Sequence, residues 1–168
     1  MRRLVLYYPV TPHIVNRAWG VADAAYEEFG FSRHNGVDLA LNTGQSIYAP
    51  FDCRVTKIGN EPNGSGLYVC LLSRGKHGFD DGHITRVEIT FMHLSEVSVS
   101  IGTKLSIGDL VALGGHTGRA SGSHTHMALK RVRMGLLGGY RDRDKNEANN
   151  TFDPEPYWSH LPAMRRVP

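Results

Sequence analysis

The feature that constrains this chain most is its punctuation. Short runs that alternate apolar and polar residues are broken by glycine-rich turns roughly every 8–12 residues. Residues 36–41 alternate, and 46–50 follow a turn at Asn42-Thr43-Gly44. Residues 53–58 alternate again, and Asn63-Gly64-Ser65-Gly66 turns into 67–72. A polar loop at 75–82 leads to a long run at 84–94, and after further glycine turns the pattern closes at 125–132. A period of two marks strands with one buried face, and tight turns join such strands antiparallel. The expectation is an all-β fold of mainly antiparallel sheets around a barrel- or sandwich-like core, with little helix. Residues 21–28 are the one helical candidate.

A chain of 168 residues suits a single domain, residues 1–168, and folding would bury roughly two thirds of its unfolded surface. Hydrophobic residues at 40% and charged residues at 21% exclude a disordered chain. The stretch 134–168, rich in charge, Asn and Pro, reads as a surface-wrapping tail anchored by Phe152, Tyr157 and Trp158. A net charge of +3 would attract an anionic polymer only weakly, and no basic run argues for nucleic acid. No apolar stretch is long enough for a membrane-spanning helix. The basic start, Met1 to Arg3, leads into a brief apolar run that Pro9 and Pro12 interrupt, so it reads as an opening strand and not as an export signal. Cys53 and Cys70 form no CxxC pair, which excludes a zinc knuckle. Both read as small buried hydrophobes, with a disulfide between neighbouring strands as the alternative.

Nine histidines make a metal or acid–base site worth seeking. In His34-Asn35-Gly36-Val37-Asp38, Gly36 and Val37 argue for a loop entering a strand, with Asp38 opposite Val37, Leu39 and Leu41. His124 and His126 are two apart, so in a strand their imidazoles share one face. His93 closes the alternating run 87–93. Zinc takes imidazole nitrogen and carboxylate oxygen, and a catalytic site keeps three protein ligands and one open position. His34, Asp38 and one of His124 and His126 supply a His₂Asp set. His93 and the other member would be free imidazoles beside it. The HExxH motif is absent, so histidine would have to serve as the acid–base group. The glycines of 114–122 read as tight turns needing positive φ; no GxxxxGK[ST] phosphate loop is present.

Four segments in order resemble the LytM/lysostaphin family of zinc metalloendopeptidases: His34-Asn-Gly-Val-Asp38, Phe91-Met-His93-Leu94, Gly108-Asp109-Leu110-Val111, and the run from Thr117 to His126. The likeness covers residues 20–133 or so. It implies zinc held by His34, Asp38 and His126, with His93 and His124 as catalytic histidines. One would take a proton from the attacking water while the other stabilises the oxyanion. The implied substrate is a peptide of bacterial peptidoglycan, in the stem or the cross-bridge. Phe91 replaces the family's tyrosine, Thr125 and Met127 alter its HLHF ending, and Ala120 lengthens the run before Ser121. These departures bear on the rim of the substrate groove, as does the loop 75–83, an extension that would reshape one wall.

His116 lies in the glycine-rich turn, where a substrate contact is conceivable, and His13, His77, His83 and His160 read as surface. A non-catalytic module of the same fold, serving as a hydrolase activator or wall-binding part, would lack one or more of the five residues, and all five are present. A glycan-binding β-sandwich with accidental histidines is a second rival, distinguished by its lack of metal. A wall hydrolase without an export signal points to a phage lysin or virion-associated enzyme, or to another route of export.

Overall fold

The structure is a computed structural model that describes residues 3–22, 27, 33–134, 140–142 and 151–159. Fourteen strands are described: β1 (Leu6–Tyr7), β2 (Val15–Arg17), β3 (Val37–Ala40), β4 (Ser46–Tyr48), β5 (Cys53–Glu61), β6 (Gly66–Ser73), β7 (His77–Gly78), β8 (Ile84–Leu94), β9 (Glu96–Val97), β10 (Lys104–Leu105), β11 (Leu110–Leu113), β12 (His124–Met134), β13 (Tyr140–Asp142) and β14 (Trp158–Ser159). The fold is all-β, as the alternation predicts. Described helical content is confined to 3₁₀ geometry, at Glu27 and over Glu155–Tyr157. Of the helical candidate at 21–28, residues 23–26 and 28 lie outside the described residues.

One large sheet carries the molecule, in the order β10-β5-β6-β8-β12-β3-β2, with β7 on β8 and β13 on β12. Its two faces differ sharply. Val37 and Leu39, Met127 and Leu129, Ile89 and Phe91, Val69 and Leu71, and Cys53 and Val55 all turn inward and are fully buried. Ile47 and Val111 of the small sheet β4-β11-β9 join the same apolar cluster, as do Leu4, Leu6 and Val10 of the N-terminal segment. Burying a side chain of this size removes it from water at a gain of about 1.5–3 kcal/mol each. The other face carries Asp38, His124 and His126.

Strands β1 and β14 form a separate two-stranded sheet. Strand β1 pairs in parallel with β14, and Phe152, Tyr157 and Trp158 pack on the core. Phe79 lies edge-on to Phe152 and Tyr157, and the Arg131 guanidinium covers Phe79 while pairing with Asp81. The loop 75–83 is therefore misplaced in the expectation that it shapes the groove. It sits at the start of β8, and His93 lies at the other end, about 30 Å away at strand rise.

Cys53 and Cys70 are free and buried. Cys53 faces the core, and Cys70 faces the opposite side, where its Sγ lies 3.4 Å from Thr90 Oγ1. Side chains on opposite faces of one sheet cannot form a disulfide. Burial pushes the Cys53 thiol up to about 12, so it stays protonated.

Candidate metal centre and active site

Strands β3 and β12 run antiparallel with His126 directly opposite Asp38 and His124 opposite Ala40. Because alternate residues share a face, this register lays Asp38, His124 and His126 side by side while Val37, Leu39 and Met127 stay in the core. His34 enters from the loop before β3. Its backbone is tied by Gly20 N–H to His34 C=O at 2.8 Å and by His34 N–H to Val21 C=O at 2.9 Å. Its Nδ1–H donates to the Ala18 carbonyl at 2.9 Å, leaving Nε2 as a lone pair.

That lone pair points at the other two groups. His34 Nε2 lies 3.1 Å from Asp38 Oδ1 and 3.0 Å from His126 Nδ1, and His126 Nδ1 lies 3.0 Å from the same oxygen. Burial works against ionising Asp38, but the His126 and His34 contacts outweigh it and hold the carboxyl well below its ordinary range. Burial pushes the His126 imidazole down toward its neutral form. An ionised carboxylate and imidazole nitrogens in contact, largely removed from water, favour a positive centre between them. Ligand atoms of all three residues lie within 4.8 Å of one another. One cation with bonds of about 2.0–2.2 Å to nitrogen and oxygen can touch all three, so the donor set fits zinc.

The remaining two histidines flank this trio. The rings of His93 and His124 are 4.8 Å apart, His93 and His126 are 6.4 Å apart, and His124 Nε2 lies 3.7 Å from Asp38 Oδ1. Each is aimed by a backbone carbonyl: His93 Nδ1–H donates to Thr117 at 2.8 Å and His124 Nδ1–H to Gly122 at 2.9 Å. Burial pushes the His93 imidazole down. All five residues singled out from the sequence converge on one site.

Other expectations change. Phe91, Thr125 and Met127 are fully buried, so none of these departures touches the groove. In 114–122 only Gly118 has positive φ, at 71°. Gly114 and Gly115 are needed for space, since a Cβ would meet Leu41 Cδ1 at 2.1 Å and Ser95 N at 2.6 Å. His116 and His83 are exposed, but His13 stacks on Tyr8 at 3.9 Å and His77 is half-buried near Phe51, so neither is a solvated surface group. His160 lies outside the described residues. The carbonyls of Ala18, Thr117 and Gly122 escape a reading of residue types, because every residue carries one.

A profile of Peptidase family M23 matches residues 32–139, which hold all five residues. The chain is 36% identical over 96 residues to the peptidoglycan DD-endopeptidase ShyA of Vibrio cholerae, covering 57% of this chain and 20% of that protein. It is 28% identical over 93 residues to the glycyl-glycine endopeptidase ALE-1 of Staphylococcus capitis, covering 55% and 23%. The chain thus spans about a fifth of the length of the curated relatives it matches. Among solved structures, the catalytic domain of the antimicrobial peptidase lysostaphin from Staphylococcus simulans superposes with a TM-score of 0.64 at 20% identity, covering 86% of this chain and 91% of that one. The profile spans well over half the residues and encloses the whole His–Asp cluster, which makes this chain a member of Peptidase family M23.

Proposed function

We propose that this protein is a zinc-dependent endopeptidase that hydrolyses peptide bonds of bacterial peptidoglycan, with residues 1–168 acting as one catalytic domain. The observation that carries the reading is the meeting of His34, Asp38 and His126 at hydrogen-bond distance, with His93 and His124 beside them. His34 through Nε2, Asp38 through Oδ1 and His126 through Nδ1 would hold the ion. A zinc ion bound there would supply Lewis acidity and bring the pKa of water toward about 7.

The chain's own groups do the rest. His93 and His124 commit Nδ1–H to backbone carbonyls, so Nε2 is the working atom of each. An unprotonated Nε2 takes the proton of the attacking water, and a protonated Nε2–H donates to the oxygen of the tetrahedral centre and then to the departing amine. Burial pushes His93 toward its unprotonated form, the state an acceptor needs. Peptidoglycan as substrate rests on likeness to relatives named for DD- and glycyl-glycine peptide bonds. The bond cut here is in the stem or the cross-bridge.

The test is muropeptide release from purified cell walls, read by mass spectrometry. His34→Ala and Asp38→Ala should abolish release, and His93→Ala and His124→Ala should each lower kcat by about 10²–10³-fold. Full activity in any one variant removes that residue from the mechanism.

A further inference from the structure

His93 holds a backbone conformation that its residue type rarely adopts. Its φ is 62°, in the left-handed region, and no other described non-glycine residue has positive φ. A strained residue persists only where its surroundings over-determine it. Here the backbone N–H of His93 donates to the Ser65 carbonyl at 2.9 Å, and the ring Nδ1–H donates to the Thr117 carbonyl at 2.8 Å.

Thr117 is itself held by its own side chain. Its hydroxyl donates to the Leu94 carbonyl at 2.7 Å and accepts the Leu67 N–H at 3.0 Å, so it serves as donor and acceptor at once. Leu67 and Leu94 face each other across β6 and β8, so one hydroxyl bridges the ends of two paired strands beside His93. The loop has no slack to drift. A Cβ on Gly118 would lie 2.3 Å from Gly66 N, a Cβ on Gly66 would lie 2.4 Å from the Thr117 carbonyl carbon, and Arg119 N–H donates to Gly64 C=O at 2.9 Å.

From this geometry we infer that Thr117 is the positioning residue that sets the ring orientation and tautomer of His93. A neutral imidazole carries one proton, and a carbonyl can only accept. Fixing the Thr117 carbonyl therefore fixes the proton on Nδ1 and leaves Nε2 bare for the site. Thr117 touches no reacting atom; it acts through His93. The inference rests on the reading of His93 as a catalytic histidine, but the tautomer can be read without substrate.

The test uses the zinc-loaded protein as wild type, Thr117→Val and Thr117→Ser. Valine keeps the shape and loses the hydroxyl; serine keeps the hydroxyl. Side-chain ¹⁵N–¹H spectra report the His93 tautomer, zinc analysis reports the ion, and hydrolysis of soluble peptidoglycan fragments gives kcat and KM. Wild type and Thr117→Ser should carry the His93 proton on Nδ1. Thr117→Val should show a mixed or reversed tautomer, with kcat lowered about 10²-fold, KM within about twofold and zinc unchanged. Thr117→Ser should restore kcat to within about threefold. A wild-type His93 protonated on Nε2 overturns the inference. So does a Thr117→Val protein that keeps both tautomer and kcat, or a Thr117→Ser protein that loses as much as Thr117→Val. If Thr117→Val does not fold, the wild-type and Thr117→Ser tautomers and the Thr117→Ser kcat decide alone. If no form cleaves peptidoglycan, the endopeptidase reading fails while the spectra still decide the role of Thr117.

Discussion

At position 36 a side chain has nowhere to go. A Cβ there would lie 2.6 Å from His126 Nε2 and 2.5 Å from the Met127 carbonyl oxygen. The glycine between His34 and Asp38 is thus required by the close approach of the neighbouring strand's histidine, and its φ is not in the left-handed region. Gly36→Ala should displace the His126 ring and lower both retained zinc and kcat/KM, the latter by about 10²-fold for a shift near 1 Å. Metal analysis beside a hydrolysis assay checks this, and wild-type values for both would show that the ring has room. The five candidate residues that converge were legible in the sequence because imidazole and carboxylate are rare chemistries and their spacings were suggestive. Their aim was not legible. His34 is turned by Ala18, His93 by Thr117 and His124 by Gly122, all through backbone oxygens that leave no mark in residue type.

Strands were readable wherever one face is buried. Residues 84–94 match β8 end to end, and the alternation of 37–40 assigns Asp38 to the face away from the core. Pairing order was not readable, since a period of two says which face is buried and not which strand lies alongside. Hence the misplaced loop 75–83: only the topology reveals that β8 carries it on one end and His93 on the other. Element stability has a direct test in Phe91, fully buried with Val69 and Met127 opposite it on the two flanking strands. Phe91→Ala should cost about 3–5 kcal/mol. Because the side chain lies on the core face, Phe91→Tyr should affect stability far more than substrate preference. Urea denaturation reads the first, and fragment patterns from digested walls read the second; a changed cleavage pattern with unchanged stability would place the ring in the groove.

In the molecule as a whole, one face of the large sheet is dry and carries the core, and the other carries the candidate site. The protein's acid response follows from burial. His77, half-buried near Phe51, has its imidazole pushed below the ordinary value of 6.5. Its folded form therefore binds a proton less readily than the unfolded chain. That contribution to stability is present above about pH 6.5 and is lost as pH falls toward the folded value. The urea midpoint should decline between about pH 7.5 and 5.5, and less steeply in His77→Phe. Equal slopes would mean that His77 titrates as a solvated group.

The central claim is that His34, Asp38 and His126 hold one divalent ion, and the most direct measurement is the metal content of protein purified without a histidine tag. Elemental analysis should find close to one zinc per chain in the wild type and essentially none in Asp38→Ala. A wild type free of zinc after exposure to the ion, or an Asp38→Ala protein that retains it fully, would contradict the account.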